Sequence, residues 1–175
     1  MSEAVKEAHR TKKGRRIVVK PISWAMLTED GPPIARRNPK PKGSRSKGFT
    51  FQRTVTRSLK TLAETEYSGL CGNLHVEQWL AFCDSAGRCF AQPDQFIVQE
   101  DRIWLFECKL THNGEARLQL ENLYMPLLEH IFDREVYCVQ VFKNLRSKNP
   151  PRLYYSLNDI LKDEPKFSTW LFSDL

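Results

Sequence analysis

The stretch Ile103-Trp104-Leu105-Phe106-Glu107-Cys108-Lys109-Leu110 constrains the fold more than any other part of this chain. Side chains alternate along a strand, so Ile103, Leu105, Glu107 and Lys109 share one face and Trp104, Phe106, Cys108 and Leu110 the other. The first half is apolar on both faces, the pattern of a strand covered on both sides of its sheet. A carboxylate and an ammonium then follow, two residues apart on one face. Such charges leave water only when paired with an opposite charge or a metal ion. A wet strand end with a plain Glu107–Lys109 ion pair satisfies the same rule, and on these two residues alone that ion pair is the preferred reading.

The flanking sequence supplies the rest of a sheet-and-helix domain. Phe51, Val55, Leu59 and Leu62 recur at helical spacing, predicting a helix over 49–65. Alternation of Leu74, Val76, Leu80 and Phe82 predicts a strand over 74–83. A turn at Ser85-Ala86-Gly87 leads to a second strand over 88–98, and Gln99-Glu100-Asp101 makes a tight turn into the third, 102–110. Ala116, Leu120, Leu123, Leu127 and Ile131 form the buried stripe of a helix over 113–131, which Pro126 should kink. Val136, Cys138, Val139 and Val141 mark a fourth strand over 135–142. Tyr154 and Tyr155 extend a further strand, and Ser156 is the N-cap of a short helix to Lys162. The order α-β-β-β-α-β predicts an α/β fold with one mixed sheet between helices.

Within that order Asp94 gains weight. It follows Pro93 in the second strand, and the short turn to the third brings Asp94 beside Glu107 at one edge of the sheet. Two neighbouring carboxylates repel, and a divalent cation with hard oxygen ligands relieves the repulsion. Pro93-Asp94, a gap of 12 residues, and Glu107-Cys108-Lys109 resemble the signature of the PD-(D/E)XK nuclease superfamily. The resemblance covers about residues 49–142. It implies a restriction-endonuclease-like αβββαβ core and a metal-dependent DNA endonuclease. Asp94 and Glu107 would bind Mg2+, or Mn2+ in its place, helped by the main-chain carbonyl of Cys108. Lys109 would orient the attacking water or stabilise the transition state.

The chain departs from that pattern on the first helix. Gly48-Phe49-Thr50-Phe51-Gln52 places Gln52 where the superfamily often has a glutamate. Glu64, Glu66 and Glu77 are alternative acids, and Glu77 stands out because a first-strand carboxylate can face the same edge. Gln119 and Tyr124 resemble the Gln-x-x-x-Tyr pair of exonuclease-like branches, but with one residue more between them. Residues five apart on an α-helix do not share a face well, so Gln119 is the candidate for the site and Tyr124 a packing residue. His112, just past the catalytic strand, is a candidate phosphate contact.

Charge is distributed unevenly. Residues 1–48 carry 13 Lys or Arg against 4 Asp or Glu, whereas the other 127 residues carry 14 against 17. The first segment also holds five of the ten prolines and four of the eight glycines, so it reads as a flexible basic arm seeking phosphate, ahead of a domain over 49–175. Within the arm, Ile17 to Trp24 is read as a locally packed extended piece. Five cysteines with no C-x-x-C pair point to reduced thiols in a cytoplasmic setting. Cys71, His75, Cys83 and Cys89 are poorly spaced for zinc and read better as core residues. No apolar run is long enough for a membrane span. The expected partner is DNA, branched or single-stranded, as for small phage-type junction-resolving nucleases, with a homodimer if both strands are cut. The competing expectation is a non-catalytic nucleic-acid-binding module on the same fold, motivated by Gln52.

Overall fold

The computed structural model describes residues 21–32, 43–112, 114–145 and 150–173. Its centre is a six-stranded mixed sheet built from β2 (Asn73–Val76), β5 (Gln95–Val98), β6 (Arg102–Thr111), β7 (Glu135–Asn144), β9 (Phe167–Leu171) and β8 (Leu153–Tyr154), in that spatial order. The β2/β5 and β5/β6 pairs are antiparallel, while β6/β7, β7/β9 and β8/β9 are parallel. Helices α1 (Ser44–Ala63), α2 (Gly114–Gln119), α3 (Met125–Phe132) and α4 (Leu157–Asp163) cover it.

The alternation in β6 explains the layering. Trp104, Phe106 and Cys108 enter a core with Phe51, Val55 and Leu59 of α1 and Leu157 and Ile160 of α4. Ile103 and Leu105 enter the opposite core with Leu120, Leu123, Leu127 and Leu128. Both faces are closed, as the doubly apolar strand requires.

Two strand expectations are corrected. The stretches 74–83 and 88–98 each break in the middle, and the outer halves, β3 (Trp79–Asp84) and β4 (Gly87–Ala91), leave the large sheet. They join β1 (Ile22–Thr28) in a separate three-stranded antiparallel sheet of order β1-β3-β4. The cause is local. Pro93 has no N–H to continue a ladder, and opposite the next residue, Asp94, Glu77 takes a left-handed conformation with φ 49. The result is one long hairpin bent at 77–78 and 92–94, stitched at the bend by Glu77 N–H donating to the Asp94 carbonyl at 2.9 Å. The Gln92 side-chain amide donates to the Glu77 carbonyl at 2.6 Å.

The division at residue 48 also shifts. Strand β1 lies inside the supposed arm yet pairs along β3, burying Ala25 and Leu27 against the core, and α1 already begins at Ser44. A single edge strand has too little pattern of its own to reveal such a partner. The rest of the supposed arm, 1–20 and 33–42, lies outside the described residues.

The helix expected over 113–131 is interrupted ahead of Pro126 and not at it. Residues Leu120–Tyr124 form a π-helical turn between α2 and α3, while Pro126 sits in the first turn of α3, where its missing N–H is harmless. Ser156 does cap α4, accepting from the Asn158 N–H at 3.2 Å. The strand at Tyr154–Tyr155 is limited to Leu153–Tyr154, and β9 adds a strand that the pattern reading left out.

Candidate active site

The bend between the two sheets opens a cleft of about 470 Å³. Asp94, Glu107, Lys109, Gln52, Glu77 and Gln119 all line it, with Phe49, Trp79, Phe90 and Tyr124 among its other walls. Every side chain proposed from the sequence as a core site residue therefore reaches one cavity, although they come from α1, the bend, β6 and α2.

Register explains the central pair. Gln95 stands opposite Phe106 in the β5/β6 ladder, so one step further along the hairpin Asp94 meets Glu107. Asp94 Oδ2 accepts the main-chain N–H of Cys108 at 2.7 Å, which locks the aspartate across the strand. Glu107 is 2% exposed, and its Oε1 is ion-paired with Lys109 Nζ. Its other oxygen, Oε2, is buried and has no hydrogen-bond partner. A carboxylate oxygen in that position lacks the compensation that buried charge normally requires. Burial pushes the Asp94 carboxyl up to about 7, with further upward pressure from the Glu107 charge, against the opposing effects of Lys109 and the Cys108 N–H. These are the electrostatics of a site that a cation would complete.

The donor set fits a hard divalent ion such as magnesium. It offers two carboxylates on one cleft, one with an unsatisfied oxygen, and no soft ligand. Cys108 turns its thiol to the opposite core, where burial raises its pKa well above the ordinary thiol value. Gln95 donates to that sulfur at 3.3 Å and accepts from Thr56 at 2.6 Å, tying α1 to the back of the site. Any part played by Cys108 at the ion thus falls to its main chain. Among the described residues no group of three His, Cys, Asp or Glu side chains is poised to hold a metal. Water and main-chain oxygens would have to fill the remaining positions, which is how magnesium is commonly held.

Gln52 lines the cleft from α1 and is engaged with the bend. Its Nε2 donates to Glu77 Oε1 at 3.1 Å, so the amide presents a carboxylate from the bend. Glu64 pairs with Lys60 at 3.9 Å on the exposed end of α1, and neither it nor Glu66 lines the cleft. Tyr124 overturns the expectation that it only packs. In a π turn the hydrogen-bond step is five residues, and here the Gln119 amide donates to the Tyr124 hydroxyl at 2.7 Å, which donates on to the Gln92 carbonyl at 3.1 Å. The one-residue insertion that spoils the α-helical spacing is absorbed by that turn. His112 lies outside the cleft lining and packs edge-on against Phe142 at 5.5 Å, with its pKa lowered by burial.

The zinc grouping gains nothing from the geometry. Cys71 is exposed, His75 stacks on Phe96 at 4.6 Å, and Cys89 packs against the core. Trp79 and Phe90 are cleft residues that the sequence reading missed. Their signal was present as outward positions on alternating strands, but only the break at the bend makes them walls of the cleft that holds Glu107.

No protein-family model matches the chain, and no curated protein is significantly similar to it. Among solved structures, protein VC1899 from Vibrio cholerae is similar over 71% of this chain and 30% of that one, with 14% identity and a TM-score of 0.45. The chain thus spans less than a third of that protein's length.

Proposed function

We propose that this protein is a divalent-metal-dependent DNA endonuclease of the PD-(D/E)XK type. The observation that carries the reading is the meeting of Asp94, Glu107 and Lys109 in one cleft, with Glu107 Oε2 buried and unpartnered. A simple Glu107–Lys109 ion pair leaves that oxygen unexplained. The restriction-endonuclease-like core is part of the same proposal. With each bent strand counted once, the order from α1 to β7 is the expected α-β-β-β-α-β.

Asp94, Glu107 and the main-chain carbonyl of Cys108 would hold magnesium or manganese. Bound there, the ion supplies a Lewis acid and a water that ionises near neutral pH. Lys109, anchored by Glu107, holds its ammonium at the cleft surface, where it orients the attacking water and offsets charge building on the phosphoryl oxygens. Gln119, steadied by Tyr124, offers its amide to the phosphate or to a water. Glu77, held by Gln52, adds negative charge to the wall of the same cleft.

The test is cleavage of supercoiled plasmid, linear duplex, single strand and four-way junction with magnesium, manganese or chelator. Metal-dependent cutting should fall on the order of 10²- to 10⁴-fold in Lys109→Ala and disappear in Asp94→Ala. Undiminished cutting by both purified variants would remove the site from consideration. Binding without cutting on every substrate would instead favour a non-catalytic nucleic-acid-binding module.

A further inference from the structure

The small sheet has two unlike faces. Ala25, Leu27, Leu80, Phe82 and Ala91 point into the core. Alternation sends Trp24, Met26, Trp79, Arg88 and Phe90 the other way. Trp24 is 37% and Met26 56% exposed. The Arg88 guanidinium lies over both neighbouring rings, 5.8 Å from the Trp24 centroid and 5.5 Å from that of Phe90. Register places Trp24 opposite Cys83 and Cys83 opposite Arg88, with Met26, Ala81 and Phe90 forming the next row. At the far end Trp79 is seated on Gly31, where a Cβ would come within 2.8 Å of the indole. Trp79 and Phe90 also line the cleft that holds Asp94 and Glu107, and Phe49, 42% exposed, lines it as well.

We infer that this outward face is a stacking platform for the unpaired bases of a single-stranded nucleic acid, leading the strand into the cleft. The substrate class rests on the nuclease reading, but the platform itself does not. Aromatic rings interleaved with a guanidinium match a strand with exposed base faces and phosphates, since every base has a π-face and the cation meets the backbone. An intact duplex keeps its base faces stacked internally and offers the rings nothing comparable. The sequences flanking β1 point the same way, with seven Lys or Arg in residues 1–20 and four in residues 33–42. Their positive charge favours a phosphate chain as the bound partner.

The full-length protein would be titrated in chelator with labelled oligothymidylate, the matched RNA strand and a duplex of equal length, reading anisotropy and tryptophan fluorescence. The expected result is tighter binding of a single strand than of duplex, with quenched tryptophan emission. Whichever of DNA and RNA binds tighter names the strand chemistry. Trp24→Ala should weaken single-strand binding roughly tenfold, Trp24→Phe should restore most of it, and Arg88→Ala should flatten the salt dependence. Equal affinity for duplex and single strand, or a folded Trp24→Ala that binds as the parent does, would overturn the platform. So would concentration-dependent self-association through Trp24 without nucleic-acid binding. Because chelator prevents cutting, single-strand binding persists even if the Asp94 and Lys109 variants defeat the nuclease assignment.

Discussion

Glu107 and Asp94 sit close together yet have different supports, and this difference makes their behaviour separable. Glu107 is ion-paired with Lys109 on its own strand, whereas Asp94 has one main-chain N–H and the more distant Lys109 charge, and is pushed up to about 7 by burial and by Glu107. An unfolded aspartate titrates near 4. Folding therefore favours the protonated Asp94. Its contribution to stability is complete below about pH 4 and is lost as pH rises through about 7. Metal-free protein should accordingly lose stability across that window, most visibly from pH 5 to 7.5 in urea titrations. Asp94→Asn should flatten this part of the profile, and magnesium should restore the parent at neutral pH while leaving Asp94→Asn unchanged. Lys109→Ala leaves Glu107 buried without its cation, a change of about 3 kcal/mol against the metal-free fold. Added magnesium should recover much of that loss in a thermal melt, and no recovery would speak against an ion at Glu107. Glu77 presents the converse case. Its left-handed backbone disfavours a side chain by about 1 kcal/mol, so Glu77→Gly should keep its stability to within about that amount while binding manganese more weakly in calorimetry.

At the scale of elements, two local irregularities build the cleft. The first is the bent hairpin. Had 74–83 and 88–98 run straight, as their alternation predicts, β3 and β4 would lie in the large sheet and Trp79 and Phe90 would not wall the site. Alternation reports which face a residue occupies but not whether the ladder turns. Pro93 was the visible warning, and the left-handed Glu77 across the hairpin was not readable. The second is the π turn at Leu120–Tyr124, which brings Gln119 and Tyr124 together although an α-helix would separate them. Tyr124→Phe removes the acceptor for the Gln119 amide and the donor to the Gln92 carbonyl. We expect a loss of about 1–2 kcal/mol in urea unfolding with the fold retained. An unchanged midpoint would show that these hydrogen bonds are exchanged for water without penalty.

For the whole molecule, the decisive element is the last one. Strand β9 pairs with β7 on one side and β8 on the other, and it buries Phe167 and Trp170 in opposite cores. A chain ending at residue 164 should therefore lose its cooperative thermal transition by circular dichroism, even though the motif and the first helix remain. A normal melt from that truncation would show that the sheet is complete without its C-terminal strands. Likewise β1 makes the N-terminal region part of the fold, so deletions meant to test the basic segments should spare residues 21–32.

The sequence by itself determined the doubly covered central strand, the faces of β6, the amphipathic α1, the cap at Ser156 and the trio Asp94, Glu107 and Lys109. Those features follow from periodicity and from chemistry over a few residues, which a linear pattern carries. Only the tertiary structure decided that the hairpin bends, that β1 and β9 find distant partners, and that Gln52 donates to Glu77. Each depends on a contact between residues far apart in the chain, with sequence separations of 25 for Gln52 and Glu77 and 60 for Ser23 and Cys83. No local propensity encodes such a contact, because its free energy appears only when the two cores close.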